Sequence, residues 1–401
     1  MTVAHGYNVR YDPYDQELNR DPYPVLRRLR EDSPLYYDER YDFYALTRFE
    51  DVSAALVDHR TFSSARGVVL ELIQSDVEIP PGTLVFEDPP VHDIHRKLVA
   101  RMFTPRRIAQ LEERIRAFCA QSLDPLVGTG RFDFVTDLGA QMPMRVISSL
   151  LGIPESDQES IRDHGNAQMT SEAGAPMRMA TEGLDPGQVF AEYVDWRAEH
   201  PSDDLMTDLL TVEFTDEHGV TRRLRRDELL MYLNVVATAG NETTTRLIGW
   251  AGKVLADHPD QRRAVAADRS LIPRAVEELL RFEPPAQNVG RYVTRDVEYY
   301  GRTVPAGSAM LLLTGAANRD HRQFPPDGDV FDVHREPRAH LAFGVGAHYC
   351  LGSALARLEG RIALDEILNR FPEWDLNLST ATLISTAAVR GWDSMPALIP
   401  V

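Results

Sequence analysis

Apolar positions recur at helical spacing over most of the chain and alternate only in short stretches. Residues 25–32 follow Pro22 and Pro24 and predict a short helix with proline in its first turn. Residues 35–37 and 41–47 alternate and carry many aromatics, which predicts a hairpin, with a helix over 49–58 behind it. Helical stripes return over residues 108–127, 142–151, 155–168 and 189–198, and a second hairpin is expected over 214–224. Asp227 is placed as the cap of a long helix that lasts until His258-Pro259, about 30 residues and about 45 Å. Residues 229–236 of that helix are apolar almost all round, which sends it through a core. An amphipathic helix over 271–282 ends at Pro284-Pro285. Strands are then expected over 286–291, 297–300, 303–307 and 310–313, a helix over 351–370, and a hairpin in the tail 376–399.

The pattern is mainly α with a smaller β portion (α+β). It holds no linker and no internal repeat, so one domain is expected over residues 1–401. Two stretches stay irregular, 66–85 and 171–187. Long loops inside a compact chain are usually functional or disordered.

Composition narrows the classes. The net charge of −18 excludes a general nucleic-acid surface. With only Cys119 and Cys350, a disulfide framework is excluded beyond one possible bridge. No run reaches the roughly 18 apolar residues of a membrane span, and residues 1–10 carry no apolar leader. A cytoplasmic protein without a membrane anchor is the expectation.

The most informative stretch is Phe343-Gly344-Val345-Gly346-Ala347-His348-Tyr349-Cys350-Leu351-Gly352. Two glycines two apart allow a tight turn and a close backbone approach to a flat ligand. Cys350 then stands at the mouth of a helix, where free N–H groups and the dipole favour a thiolate. A lone cysteine is more often a small buried hydrophobe, which is how Cys119 reads. The decapeptide as a whole, however, resembles the haem-binding loop of the cytochrome P450 monooxygenases.

Three further segments carry the resemblance. Asp88-Pro89-Pro90-Val91-His92, with Arg96 four residues on, resembles the family's propionate-binding motif. Ala239-Gly240-Asn241-Glu242-Thr243-Thr244 resembles the signature in the helix over the haem. Glu278 and Arg281, an E-x-x-R pair, would be joined by Arg335 in a structural triad.

The resemblance implies the cytochrome P450 fold, with the long central helix over haem b (iron protoporphyrin IX). Cys350 would be the iron ligand and Phe343, Gly344 and Gly352 would shape its loop. His92, Arg96, Arg291 and His348 would hold the propionates. Gly240 would leave room for dioxygen beside the helix. Glu242 and Thr243 would pass the two protons that dioxygen needs before its O–O bond breaks. Val68, Val69, Leu72, Ala237, Ala286 and Val289 would meet an apolar small-molecule substrate.

On its own the 239–245 stretch also reads as a helix kink without chemistry. Gly240 costs about 1 kcal/mol against Ala, three threonines are poor helix formers, and a buried Glu242 needs a partner. A Thr243 hydroxyl bonded to the Ala239 carbonyl would bend the helix there.

The implied activity is insertion of one oxygen atom of O2 into the substrate. The two electrons would come from separate partners, a ferredoxin and a ferredoxin reductase. Lys97, Arg101, Arg106 and Arg107 form a basic run in an acidic chain, either a solvated face or a docking patch for such a donor. Two alternatives stay open. A peroxygenase would have no use for the Glu242–Thr243 pair. A non-catalytic haem or ligand-binding protein would not need it either.

Overall fold

The computed structural model describes residues 9–79, 82–169, 174–176, 187–384 and 389–400. The irregular stretch expected over 171–187 lies almost wholly outside them.

The long helix runs unbroken from Arg226 to Asp257, 32 residues. Its start differs from expectation. Arg225 is the cap residue and Asp227 lies in the first turn. The Glu228 carboxylate reaches back to accept the Arg225 N–H at 2.8 Å, and the Arg222 guanidinium holds the same carboxylate at 2.8 and 3.0 Å. The helix thus starts two residues earlier than expected, closed by a glutamate at its third position.

The helix is held from two sides by different cores. In its first half, Leu229, Leu230 and Leu233 pack against Ile147, Phe190 and Leu205. In its second half, Leu247, Ile248 and Leu255 pack against Ile115, Leu279 and Ile362. Replacing one such leucine by alanine costs roughly 2–5 kcal/mol. Cys119 belongs to the second core and is fully buried, as read from the sequence. The polar residues 239–246 fall between the two cores. Burial on both sides overrides the poor propensity of that stretch, which is why it bends the pattern without ending the helix.

A five-stranded sheet lies at the other side of the chain. Its order is Leu35–Asp38, Phe43–Leu46, Ala309–Leu312, Val289–Val293 and Phe62–Ser63. Ala309–Leu312 runs parallel to Phe43–Leu46 and antiparallel to Val289–Val293. The strand expected from 286 begins only at Val289. Before it, the Ala286 and Gln287 carbonyls are taken by the Thr314 hydroxyl at 2.7 Å and the Gly315 N–H at 2.9 Å. The tail is not one hairpin. Thr382–Leu383 pairs with Trp392–Ser394, while Pro396–Leu398 pairs with Asp375–Leu376 and Arg131–Asp133. Among the described residues no helix is long and apolar enough to cross a membrane.

Candidate active site

The cysteine loop is closed by its own backbone. The Cys350 N–H donates to the Phe343 carbonyl at 2.9 Å. Gly344 and Gly346 both take positive φ, +66° and +79°, a region where glycine alone is unstrained. A Cβ on Gly346 would also stand 3.3 Å from the Leu56 carbonyl oxygen. Arg357 lies over the Phe343 ring, 4.4 Å from its centre.

Cys350 is exposed and precedes the helix Ser353–Arg370. Protein atoms crowding the sulfur push its thiol up, and the Gly352 N–H with Arg96 and Arg357 pulls it only part of the way back. The helix mouth was expected to favour a thiolate. In the protein alone, crowding around the sulfur outweighs the helix mouth and raises the thiol above its ordinary value. Among the described residues no group of three or more His, Cys, Asp or Glu side chains is placed to hold a metal ion. An ion at Cys350 would need its other ligands from a bound group.

Donors without acceptors surround this loop. His92 lies on the helix Val91–Ala100 and is fully buried. Its ring stands 4.3 Å from that of His348, centre to centre. His92 Nδ1 meets Asp93 at 3.1 Å, but Nε2 of His92 and Nε2 of His348 are buried with no partner. Arg291, also buried, bonds the carbonyl of its own neighbour Gly290 at 2.8 Å. Burial pushes Arg291 down to about 10, with Asp88 opposing. His348 is pushed down to about 3, first by burial and then by His92 and Arg291. Arg96 reaches the Tyr349 carbonyl. Two imidazoles and two guanidiniums with spare N–H groups suit the carboxylates of a bound group. That is the donor set that haem propionates require.

The middle of the long helix is sorted by helical phase. Ala239 is exposed and Thr243 partly so, and the Thr243 hydroxyl donates to the Ala239 carbonyl at 2.9 Å. Ala237, Gly240 and Asn241 share a different face. A Cβ on Gly240 would stand 2.9 Å from Ile147 Cδ1. Gly240 therefore gives room to the neighbouring helix Met142–Leu151. Ala237 is likewise buried in the core with Ile147 and Ile161.

Two partners escaped sequence reasoning. The Glu242 carboxylate accepts from Arg246 Nη2 at 2.5 Å, and both side chains are 2% exposed. The i, i+4 spacing was the available signal. The Thr244 hydroxyl donates to Glu359 at 3.1 Å, across 115 positions of sequence. Burial pushes Glu359 up to about 8, with the Thr244 bond opposing, so it carries a proton at neutral pH. Thr245 bonds the Gly139 carbonyl at 2.6 Å.

Glu278 holds Arg281 through two bonds of 2.7 Å and Arg335 through one of 3.1 Å. Arg281 also binds the carbonyls of Asn318, Gly328 and Val330. The three side chains fasten the segment leading to the cysteine loop. Among the expected substrate positions, Val68 and Val289 come together, because the Gly290 N–H bonds the Val68 carbonyl at 2.7 Å. Leu72 folds back so that a Cβ on Gly67 would meet it at 2.6 Å. Val69 is buried and Ala286 partly so.

Known proteins fit this geometry. The family model for cytochrome P450 matches residues 188–381. Putative cytochrome P450 123 of Mycobacterium tuberculosis is 37% identical over 99% of this chain and 98% of its own length. The vitamin D(3) 25-hydroxylase of Pseudonocardia autotrophica is 35% identical over 99% of this chain and 98% of its own. Among solved structures, cytochrome P450 CYP109Q5 from Chondromyces apiculatus superposes with a TM-score of 0.85 at 34% identity, covering 98% of this chain and 99% of that one. Likeness of this extent in sequence and in fold means that the chain belongs to the cytochrome P450 family, the haem b monooxygenases.

Proposed function

We propose that the protein inserts one atom of O2 into an apolar organic molecule bearing at least one hydrogen-bonding group, with electrons from a ferredoxin and its reductase. The observation that carries the site assignment is the cluster of unpartnered donors, His92 Nε2 and His348 Nε2 with Arg291, beside an exposed Cys350. In this reading Cys350 ligates the iron, and His92, Arg96, Arg291 and His348 bind the propionates. Haem supplies the activation of dioxygen when bound. The chain's own part is to orient, to exclude water and to move protons. The Thr243 hydroxyl, anchored on the Ala239 carbonyl, gives a proton toward the oxygen side and regains one from Glu242.

The substrate class rests on one cavity. Leu70, Glu71, Gln287, Asn288 and Val389 line it together with Tyr11, Tyr14 and Asn19; the segments around 70 and 287 are those expected to touch substrate. Leu70 and Val389 suit an apolar body, and Glu71, Gln287 and Asn288 suit a hydroxyl, carbonyl or amine. Relatives point the same way. CYP109E1 from Bacillus megaterium was solved with testosterone, at TM-score 0.84 and 28% identity, and a mutant of EryK with erythromycin B, at 0.82 and 31%. Lys97, Arg101 and Arg106 are exposed, and on a chain of net charge −18 they suit an acidic donor protein.

Titration of the holoenzyme with testosterone, vitamin D3, erythromycin B and hexadecenoic acid tests the substrate reading. Displacement of the iron's water, seen as a Soret shift, is expected for at least one. Cys350→Ala is expected to lose the red-shifted Soret band of the ferrous–CO complex. Retention of that band would remove Cys350 as the ligand.

A further inference from the structure

The Glu242 carboxylate is not free to serve as a relay group by itself. It is clamped by Arg246 one turn along the same helix, at 2.5 Å. Arg246 is in turn clamped by the C-terminal strand Trp392–Ser394, whose Trp392 carbonyl accepts from Nη1. The strand closes tightly over this side chain. A Cβ on Gly391 would stand 2.6 Å from Arg246 Cδ. On the far side, Asp393 Oδ1 lies 4.0 Å from Arg246 Nη1, and Asp393 is 66% exposed. A single buried guanidinium thus stands between a buried carboxylate and one in water.

We propose that Arg246 is the positioning residue for the relay acid Glu242, and that the proton path opens to solvent at Asp393, beneath the C-terminal strand. The inference rests on the reading of Glu242 and Thr243 as the relay. A glutamate side chain has three free torsions, and a buried one left unpaired would lose its charge or turn away. Arg246 engages Oε2 and holds the side chain in place; in the proposal Oε1 is the atom that passes a proton on to Thr243. Asp393, 4.0 Å from Nη1 and exposed, is the charged group on the solvent side of this guanidinium. In the proposal the Glu242 carboxylate takes its proton from water that enters past Asp393. The proton that arrives at Oε1 replaces the one Thr243 has given up, so no net charge stays in the helix.

The test uses the holoenzyme with an excess of reductant delivered through a surrogate ferredoxin and its reductase, in H2O and in D2O, and follows the rate of O2 consumption. Two electrons then reach each O2, and the rate depends on proton supply. Glu242→Gln and Arg246→Met are each expected to slow it by at least about tenfold and to change the solvent isotope effect. Arg246→Lys, which keeps the charge, should restore the rate to within about threefold. Asp393→Asn should slow it by about twofold to threefold. The double variant Arg246→Met with Glu242→Gln should be no slower than Glu242→Gln alone, because Arg246 acts through Glu242.

Thermal unfolding of the holoenzyme gives a second reading. Arg246→Met strands a buried charge and should lower the midpoint by roughly 5–10 °C, and the double variant should recover most of that loss. A parental rate for Arg246→Met beside a slow Glu242→Gln overturns the inference and leaves the relay standing. A double variant several-fold slower than Glu242→Gln overturns it too. Parental rates for both single variants overturn the relay itself.

Discussion

Around Cys350 both imidazoles leave a buried ring nitrogen without a partner, whereas between residues 242 and 246 every polar side chain has at least one partner, with Arg246 Nε alone left over. His92 Nε2 and His348 Nε2 are buried and unbonded. By contrast Glu242 meets Arg246, Thr243 the Ala239 carbonyl, Thr244 Glu359 and Thr245 the Gly139 carbonyl. Unpaired buried donors are costly and mark a place made for another molecule's acids. A closed network does the opposite. It holds its own geometry, and any chemistry in it must come from protons changing seats. The triad Glu278–Arg281–Arg335 is closed in the same way, but it fastens chain to chain and faces no reaction.

If that contrast holds, cutting a closed network damages the fold and cutting the open cluster damages only ligand retention. Glu278→Ala should show the largest effect. It would leave Arg281, 2% exposed, and Arg335 without their common acid. Breaking such a buried pair costs about 3–5 kcal/mol, readable as a lower urea midpoint at unchanged slope. An unchanged midpoint would break the comparison at its firmest point.

Glu359 sharpens the comparison through pH. Its carboxyl is raised from 4.5 to about 8, burial being the main cause. The native state therefore holds its proton more tightly than the unfolded chain. The stability linked to that proton is complete below about pH 4.5 and is lost as pH rises through about 8. Glu359→Gln removes the titration and keeps an acceptor for Thr244. Relative to the parent, the variant should gain stability from pH 5 to pH 8 by up to about 1.4 kcal/mol per unit. A constant difference across that range would mean that Glu359 is charged and paired in some other way.

Much of this was legible in the sequence, and what was not has a common reason. The cysteine loop, the His92–Arg96 helix and the Glu278–Arg281 pair are local, so each can be matched to a family motif, although spacing alone leaves each with a plainer reading. The packing of Gly240 and Ala237 was not legible because a motif says which residues matter locally, not which neighbour a helix face meets. Only the position of Ile147 settles that. Glu359 was invisible because its partner Thr244 is 115 residues away. Asp227 is not the cap because the helix starts two residues earlier than expected, at Arg226, where Glu228 reaches back to the Arg225 N–H.

The open cluster is tested by Arg291→Ala. Each charge-assisted hydrogen bond is worth about 1.5–3 kcal/mol, so haem should pass to an excess of an acceptor protein roughly 10 to 100 times faster. The fold should suffer little, since Arg291 bonds only the carbonyl beside it within the protein. Equal haem loss rates would remove Arg291 from the propionate site.

Thr243→Ala should have the smallest effect on the fold and a distinct effect on function. Its hydroxyl makes one bond, to the Ala239 carbonyl at 2.9 Å, inside a helix that already satisfies that carbonyl. Losing a bond of this kind changes stability by under about 1 kcal/mol, and alanine has the higher helix propensity, so the two terms nearly cancel. What is lost is the hydroxyl nearest the exposed Ala239, the last proton seat in the proposed relay. Electron use should continue while product per electron falls several-fold and peroxide rises to match. Thr244→Val differs from it by one position and should do the reverse. It would strip Glu359 of its bond and lower the unfolding midpoint while leaving coupling near that of the parent. If both variants uncoupled alike, the division of the long helix into a face for chemistry and a face for packing would be wrong.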